Sequence, residues 1–200
     1  MTTLMPFSFS FLDLSATRRQ WVAVTAVWLS LVPNIATLTA FAKAPSAGEG
    51  LAWVAFVFVG WLFVYSVCFT LLALTAAIFW GRSFKFAVMF LLVAAAILSY
   101  FTLFLGTQFD RTMVLNMLQT HQAEAFELVS FSLIGWVALT GILPAWFAWR
   151  IASVPSKPWW REAAVIAMSV AVLIAVSAAA VFSQYSRYAS AARNRAITFD

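Results

Sequence analysis

Five long apolar runs, separated by polar breaks, constrain this chain more than any other feature. They cover residues about 21–42, 51–80, 86–105, 128–149 and 163–182. A helix of about 20 apolar residues crosses a hydrocarbon layer about 30 Å thick, and each run reaches that length. No water is available inside such a layer, so a span must satisfy its own backbone groups, as a helix does. The expected fold class is an all-α membrane protein with five transmembrane helices. The second run is longer than a perpendicular crossing needs, so it tilts or protrudes.

Composition agrees. Hydrophobic residues make up 64% of the chain, aromatic residues 17% and charged residues 10%, so the bilayer replaces a soluble core. A net charge of +5 would point to nucleic acid in a soluble protein, but the positive-inside rule accounts for it here and no nucleic-acid partner is expected. Single Cys68 lies inside an apolar run and reads as a small buried hydrophobe. The first run exceeds the apolar region of about 7–15 residues in a signal peptide, so it reads as an uncleaved signal-anchor, kinked at Pro33-Asn34. The fifth run is rich in Ala, Ser and Val, which favours close helix packing.

With the N-terminus in the cytoplasm, Arg18, Arg19, Arg82, Lys85, Arg150, Lys157 and Arg161 all fall inside. The two short outer loops then hold only Lys43 and Arg111 as bases. Arg187, Arg193 and Arg195 of the tail run against this bias, as the start of a translocated domain can.

The segment Gly106 to Glu127 is the one long polar run between spans. From Thr112 onward it is free of Gly and Pro and rich in good helix formers. An amphipathic periplasmic interfacial helix is therefore expected over about 107–127, between the third and fourth spans. At about 100° per residue, Asn116, Thr120, Glu124 and Glu127 share an arc of roughly 80°. Val114, Leu118, Ala125 and Val129 take the opposite face. The polar row is either a solvated face or a ligand site. Arg111 is the only base in the segment, whereas a solvated face usually alternates bases with acids. A zwitterionic headgroup such as phosphoethanolamine would suit the row. Glu124 can accept from its ammonium, and the Asn116 amide and Thr120 hydroxyl can donate to its phosphate. Gln119, His121 and Glu127 are secondary candidates. His121 is a proton carrier or a plain interfacial residue, and Glu127 is a ligand or a charge at the start of the fourth helix. The chain has no zinc-ligand cluster, no Gly-rich phosphate loop and no Ser-His-Asp arrangement.

The pattern Ser99-Tyr100-Phe101 … Gly106-Thr107 … Asp110 … Met113-Val114-Leu115-Asn116-Met117-Leu118-Gln119-Thr120 … Glu124, with the exit segment Tyr188-Ala189-Ser190 … Arg193, resembles the membrane domain of the lipid A phosphoethanolamine transferases, including the mobile colistin-resistance enzymes. The resemblance implies a multi-pass protein of the bacterial inner membrane, with its C-terminus periplasmic and Asn116, Thr120 and Glu124 near the lipid headgroup. It also implies a periplasmic catalytic domain after residue 200, with a zinc-activated threonine. That threonine would take phosphoethanolamine from phosphatidylethanolamine and pass it to lipid A, weakening polymyxin binding. No catalytic residue, metal site or cofactor is expected in residues 1–200, and alone they are expected to be inactive. The alternative is a non-enzymatic small polytopic protein: a lipid or ion pathway, or an accessory anchor. Ion coupling would call for charged groups near the midplane, and the spans have almost none.

Overall fold

The computed structural model describes residues 15–44, 48–106, 130–154, 159–187 and 189–190. Helix α1 (Arg18–Leu31) starts at Thr17, whose side chain accepts from the Gln20 backbone while the Gln20 side chain accepts from the Thr17 backbone. This reciprocal box satisfies two of the donors that a helix start leaves open. Helix α2 (Ile35–Ala42) continues α1 after a break, at a bend of 57°. The break is the kink expected at Pro33-Asn34. Pro33 has no N–H for the carbonyl four residues back, that of Leu29, and the Asn34 Nδ2 donates to that carbonyl instead, at 2.8 Å.

Helices α3 (Leu51–Ile78) and α4 (Arg82–Phe104) form a hairpin. Its turn is short because Gly81 takes φ +56°, a conformation that side chains resist. Helix α5 (Phe131–Val137) passes through a π-helical turn (Ala138–Ile142) into α6 (Leu143–Arg150), and α7 (Trp159–Ser183) is the last long helix. By length and composition four of these units can each cross a membrane, and the bent α1–α2 pair adds a fifth if the two helices make one span. The all-helical membrane fold stands. The expected interfacial helix over 107–127 lies outside the described residues. The structure adds one feature that the apolar pattern does not signal. Strands β1 (Ser15–Thr17) and β2 (Ala152–Val154) pair in parallel, with Ser15 opposite Ala152 and Thr17 opposite Val154.

The surface is inverted relative to a soluble protein. Phe131, Leu51 and Phe182 are 95%, 88% and 80% exposed, as suits side chains solvated by lipid. Lipid tails are as apolar as Leu, so the hydrophobic effect does little to hold such helices together, and small residues and polar contacts do it instead. Trp61 Nε1 donates to Ser30 Oγ at 3.2 Å, joining α3 to α1. Ser177 Oγ donates to Ser66 Oγ at 3.2 Å, joining α7 to α3. Gly141 lets the π-turn lie on α4, since a Cβ there would come within 2.8 Å of Ala96 Cβ and 3.2 Å of Val93 Cα.

The bases gather at one end. Arg18 donates to the Phe79 carbonyl and lies over the rings of Trp80 and Phe84. Lys85 Nζ donates to the Trp149 and Ile151 carbonyls at 3.2 and 2.7 Å, closing the C-terminal end of α6. The Arg19 N–H donates to Glu162 Oε1 at 3.3 Å. The starts of α1, α4 and α7 and the ends of α3 and α6 therefore share one basic face.

Candidate functional site

At the opposite end, both flanks of the polar segment converge on Tyr100. Helix α4 stops at Phe104, and Gly106 follows at φ +65°. This is the usual place for a left-handed glycine to turn a chain out of a helix. The chain re-enters at Ser130, whose hydroxyl accepts from the Leu133 N–H at 3.2 Å and caps α5. Tyr100, one turn before the end of α4, has its hydroxyl 3.0 Å from Ser130 Oγ and 2.7 Å from Ser132 Oγ. The two serine oxygens are 2.8 Å apart.

The three hydroxyls close a triangle that ties the exit of α4 to the entry of α5. Each hydroxyl has one proton and two lone pairs. When each donates to the next, all three protons are used within the ring. Ser130 also accepts from the Leu133 N–H, so its oxygen is saturated. One lone pair remains on each of Ser132 and Tyr100. Aromatic rings back the triangle. Tyr100 lies 4.8 Å from Phe104, and Phe104 meets Trp136 edge-on at 5.4 Å. The Trp136 indole donates to Ser99 Oγ at 2.9 Å, a second tie between α4 and α5. Acceptor oxygens beside aromatic faces suit a cationic ligand group.

The residues expected from the sequence to bind substrate, Asn116, Thr120 and Glu124, lie outside the described residues, as do Gln119, His121 and Glu127. The structure describes instead the frame from which their segment leaves and to which it returns. Ser130 and Ser132 are residues that sequence reasoning passed over, and Tyr100 entered only as part of a motif. The signal for Ser130 was its place just before the apolar run of the fourth span, the position of an N-cap. Among the described residues no three His, Cys, Asp or Glu side chains come together to hold a metal.

Comparison with known proteins bears on this frame. The sequence profile described as phosphoethanolamine transferase EptA/EptB matches residues 66–198. The phosphoethanolamine transferase EptA of Salmonella typhimurium is 33% identical over 132 residues, which are 65% of this chain and 23% of that protein. The phosphatidylethanolamine transferase Mcr-1 of Escherichia coli is 44% identical over 55 residues, 28% of this chain and 10% of that protein. The match thus spans less than a quarter of the length of either relative. In fold, the chain resembles the integral membrane protein lipooligosaccharide phosphoethanolamine transferase A (EptA) from Neisseria meningitidis. The TM-score is 0.76 at 23% identity, covering 88% of this chain and 32% of that one. The profile runs from the middle of α3 through the Tyr100 frame to beyond α7, and on that ground this multi-pass membrane chain belongs to the phosphoethanolamine transferase EptA/EptB family, whose N-terminal region it matches.

Proposed function

We propose that this chain is the membrane-embedded, lipid-binding part of an enzyme that moves phosphoethanolamine from phosphatidylethanolamine to lipid A. The modified lipid A would carry an added ammonium and bind polymyxins less well. The observation that carries the reading is the match of the family profile across the polar segment whose flanks Tyr100 joins. In this reading Glu124 accepts from the donor lipid's ammonium, and Asn116 and Thr120 donate to its phosphate. Glu127 falls in the same row, and Gln119 and His121 flank it. The triangle of Tyr100, Ser130 and Ser132 holds the segment at headgroup depth.

The reacting phosphoryl group then needs a nucleophile. The reading assigns that step to a covalently linked periplasmic catalytic domain, with zinc and a threonine, as the family resemblance implies. This chain's own residues bind and orient the lipid. Its location is the bacterial inner membrane, with the basic face cytoplasmic and the Tyr100 end periplasmic. The gathering of Arg18, Arg19, Lys85, Arg150 and Arg161 at one end supports that orientation.

The test is Glu124→Ala in the enzyme that carries this membrane part. Phosphoethanolamine transfer to lipid A and polymyxin resistance should fall while membrane expression stays unchanged. Wild-type transfer would remove Glu124 from the site.

A further inference from the structure

The end of the bundle away from Tyr100 carries a cavity that the transferase reading does not use. It encloses about 200 Å³ and is lined by Thr17, Arg19, Arg161, Glu162 and Val165. Neither arginine side chain in it is ion-paired to another described residue. Arg19 makes its contact through the backbone, donating its N–H to Glu162 Oε1 at 3.3 Å, and the Arg161 guanidinium lies over the Trp160 ring at 5.2 Å. Glu162 is itself occupied, capping the first turn of α1 through that N–H, with Arg18 as a charged neighbour. Among the described residues the local sum is Arg18, Arg19 and Arg161 against Glu162, a net charge of two positives. Trp160 is 55% exposed beside Arg161, as suits an aromatic residue at headgroup depth.

A second cavity continues from the first. It encloses about 630 Å³, shares Arg19 and Val165 with the polar one, and runs into the membrane part between α1 and α7. Its floor is Tyr65 and Phe69 of α3. The groove exists because α3 packs along both α1 and α7, while α1 and α7 touch each other only sparsely. Met168 and Val172 line it and are 68% and 54% exposed. A basic pocket opening onto an apolar groove has the two-part shape of a phospholipid, and free phosphate would use only the first part.

We propose that this face binds an anionic phospholipid of the leaflet at the basic end, with its phosphodiester between Arg19 and Arg161 and one acyl chain along the groove over Tyr65 and Phe69. Guanidinium groups match phosphate oxygens in pairs. Bases at a membrane surface favour anionic over zwitterionic lipid, and the net positive charge here selects the same way. The lipid would fill the gap between α1 and α7, which the described side chains leave open.

Native mass spectrometry of the purified full chain in detergent tests this, by titration with phosphatidylglycerol, phosphatidylcholine or inorganic phosphate. Phosphatidylglycerol should bind about tenfold more tightly than phosphatidylcholine, and each arginine lost in Arg19→Ala and Arg161→Ala should weaken it about fivefold. Glu162→Gln keeps an acceptor for the Arg19 N–H and removes the opposing charge, so it should tighten phosphatidylglycerol binding. A damaged fold would not mimic that gain. Equal binding of the two lipids, unchanged binding after both arginines are replaced, or inorganic phosphate bound as tightly as phosphatidylglycerol would each overturn the proposal. Transfer activity is not the readout, so the result is independent of the reading of the Tyr100 end.

Discussion

The indole N–H of Trp28 donates at 3.1 Å to the carbonyl of Thr140, the carbonyl that Pro144 leaves without its helical partner. Pro144 has no N–H, and its ring crowds the carbonyl four residues back. The helix yields by widening into the π-turn Ala138–Ile142, where the Leu143 N–H reaches Ala138. Lipid offers nothing to the carbonyl left over, so α1 supplies the donor. Asn34 does the same for Leu29 below Pro33. Each proline inside the spans thus has a side-chain donor on the carbonyl four residues before it.

Trp28→Phe should therefore destabilise the bundle by about 1–3 kcal/mol, the usual cost of a buried polar group left without a partner. The check is a double-mutant cycle on thermal unfolding in detergent. Pro144→Ala restores a backbone donor, so Trp28→Phe should cost less in that background than in the wild type. Equal costs in the two backgrounds would mean that the indole contributes packing alone.

Removing the Tyr100 hydroxyl should affect substrate use more than folding. In Tyr100→Phe, Ser130 and Ser132 can still bond to each other, so the loss of stability should stay near 1 kcal/mol. The tie between the flanks of the polar segment is lost. In the intact enzyme the KM for donor lipid should rise severalfold while kcat holds, which is the pattern of lost binding. A fall in kcat at unchanged KM would place Tyr100 elsewhere in the cycle. Ser130→Ala should cost about 1 kcal/mol more than Ser132→Ala, because Ser130 also caps α5.

Gly141 sets how closely the π-turn approaches α4. A methyl group there would meet Ala96 Cβ at 2.8 Å and the backbone at Val93 Cα at 3.2 Å, neither of which is the end of a flexible side chain. Gly141→Ala should lower the melting temperature in detergent, and Gly141→Val should lower it further, in the range of about 1–3 kcal/mol for overpacking. Ala96→Gly should partly rescue Gly141→Ala. Absence of rescue would show that the cost lies in the helix backbone.

The sequence makes the spans legible because lipid solvation demands long apolar runs, and such runs need no partner to be recognised. The bend at Pro33-Asn34 is legible for a similar reason: a proline acts on its own helix. The π-turn is not, since it depends on Gly141 meeting Ala96 and on Trp28 reaching Thr140 from a distant helix. The β1–β2 pair joins three-residue segments far apart in the chain, too short to show alternation. The Tyr100 triangle escapes notice because a hydroxyl in a span usually bonds its own helix, as Thr70 does to Ser66. Only the fold brings Tyr100 to Ser130 and Ser132. For the amphipathic row of Asn116, Thr120 and Glu124 the sequence pattern and the family profile are the support.

The orientation is open to direct measurement. The turn between α3 and α4 sits on the basic face beside Arg18 and Lys85, and the link from α2 to α3 sits at the other end, with the Trp53 indole donating to the Ala42 carbonyl at 2.8 Å. If that basic face is cytoplasmic, a cysteine at Ala47 should react with a membrane-impermeant maleimide added to intact spheroplasts. A cysteine at Ser83 should react only after the membrane is opened. Native Cys68 would be replaced by alanine first, so that any signal belongs to the introduced thiol. The reverse pattern would put the Tyr100 end in the cytoplasm. The polar segment would then face the wrong compartment for a periplasmic catalytic domain, and the transferase reading of this chain would fall with the topology.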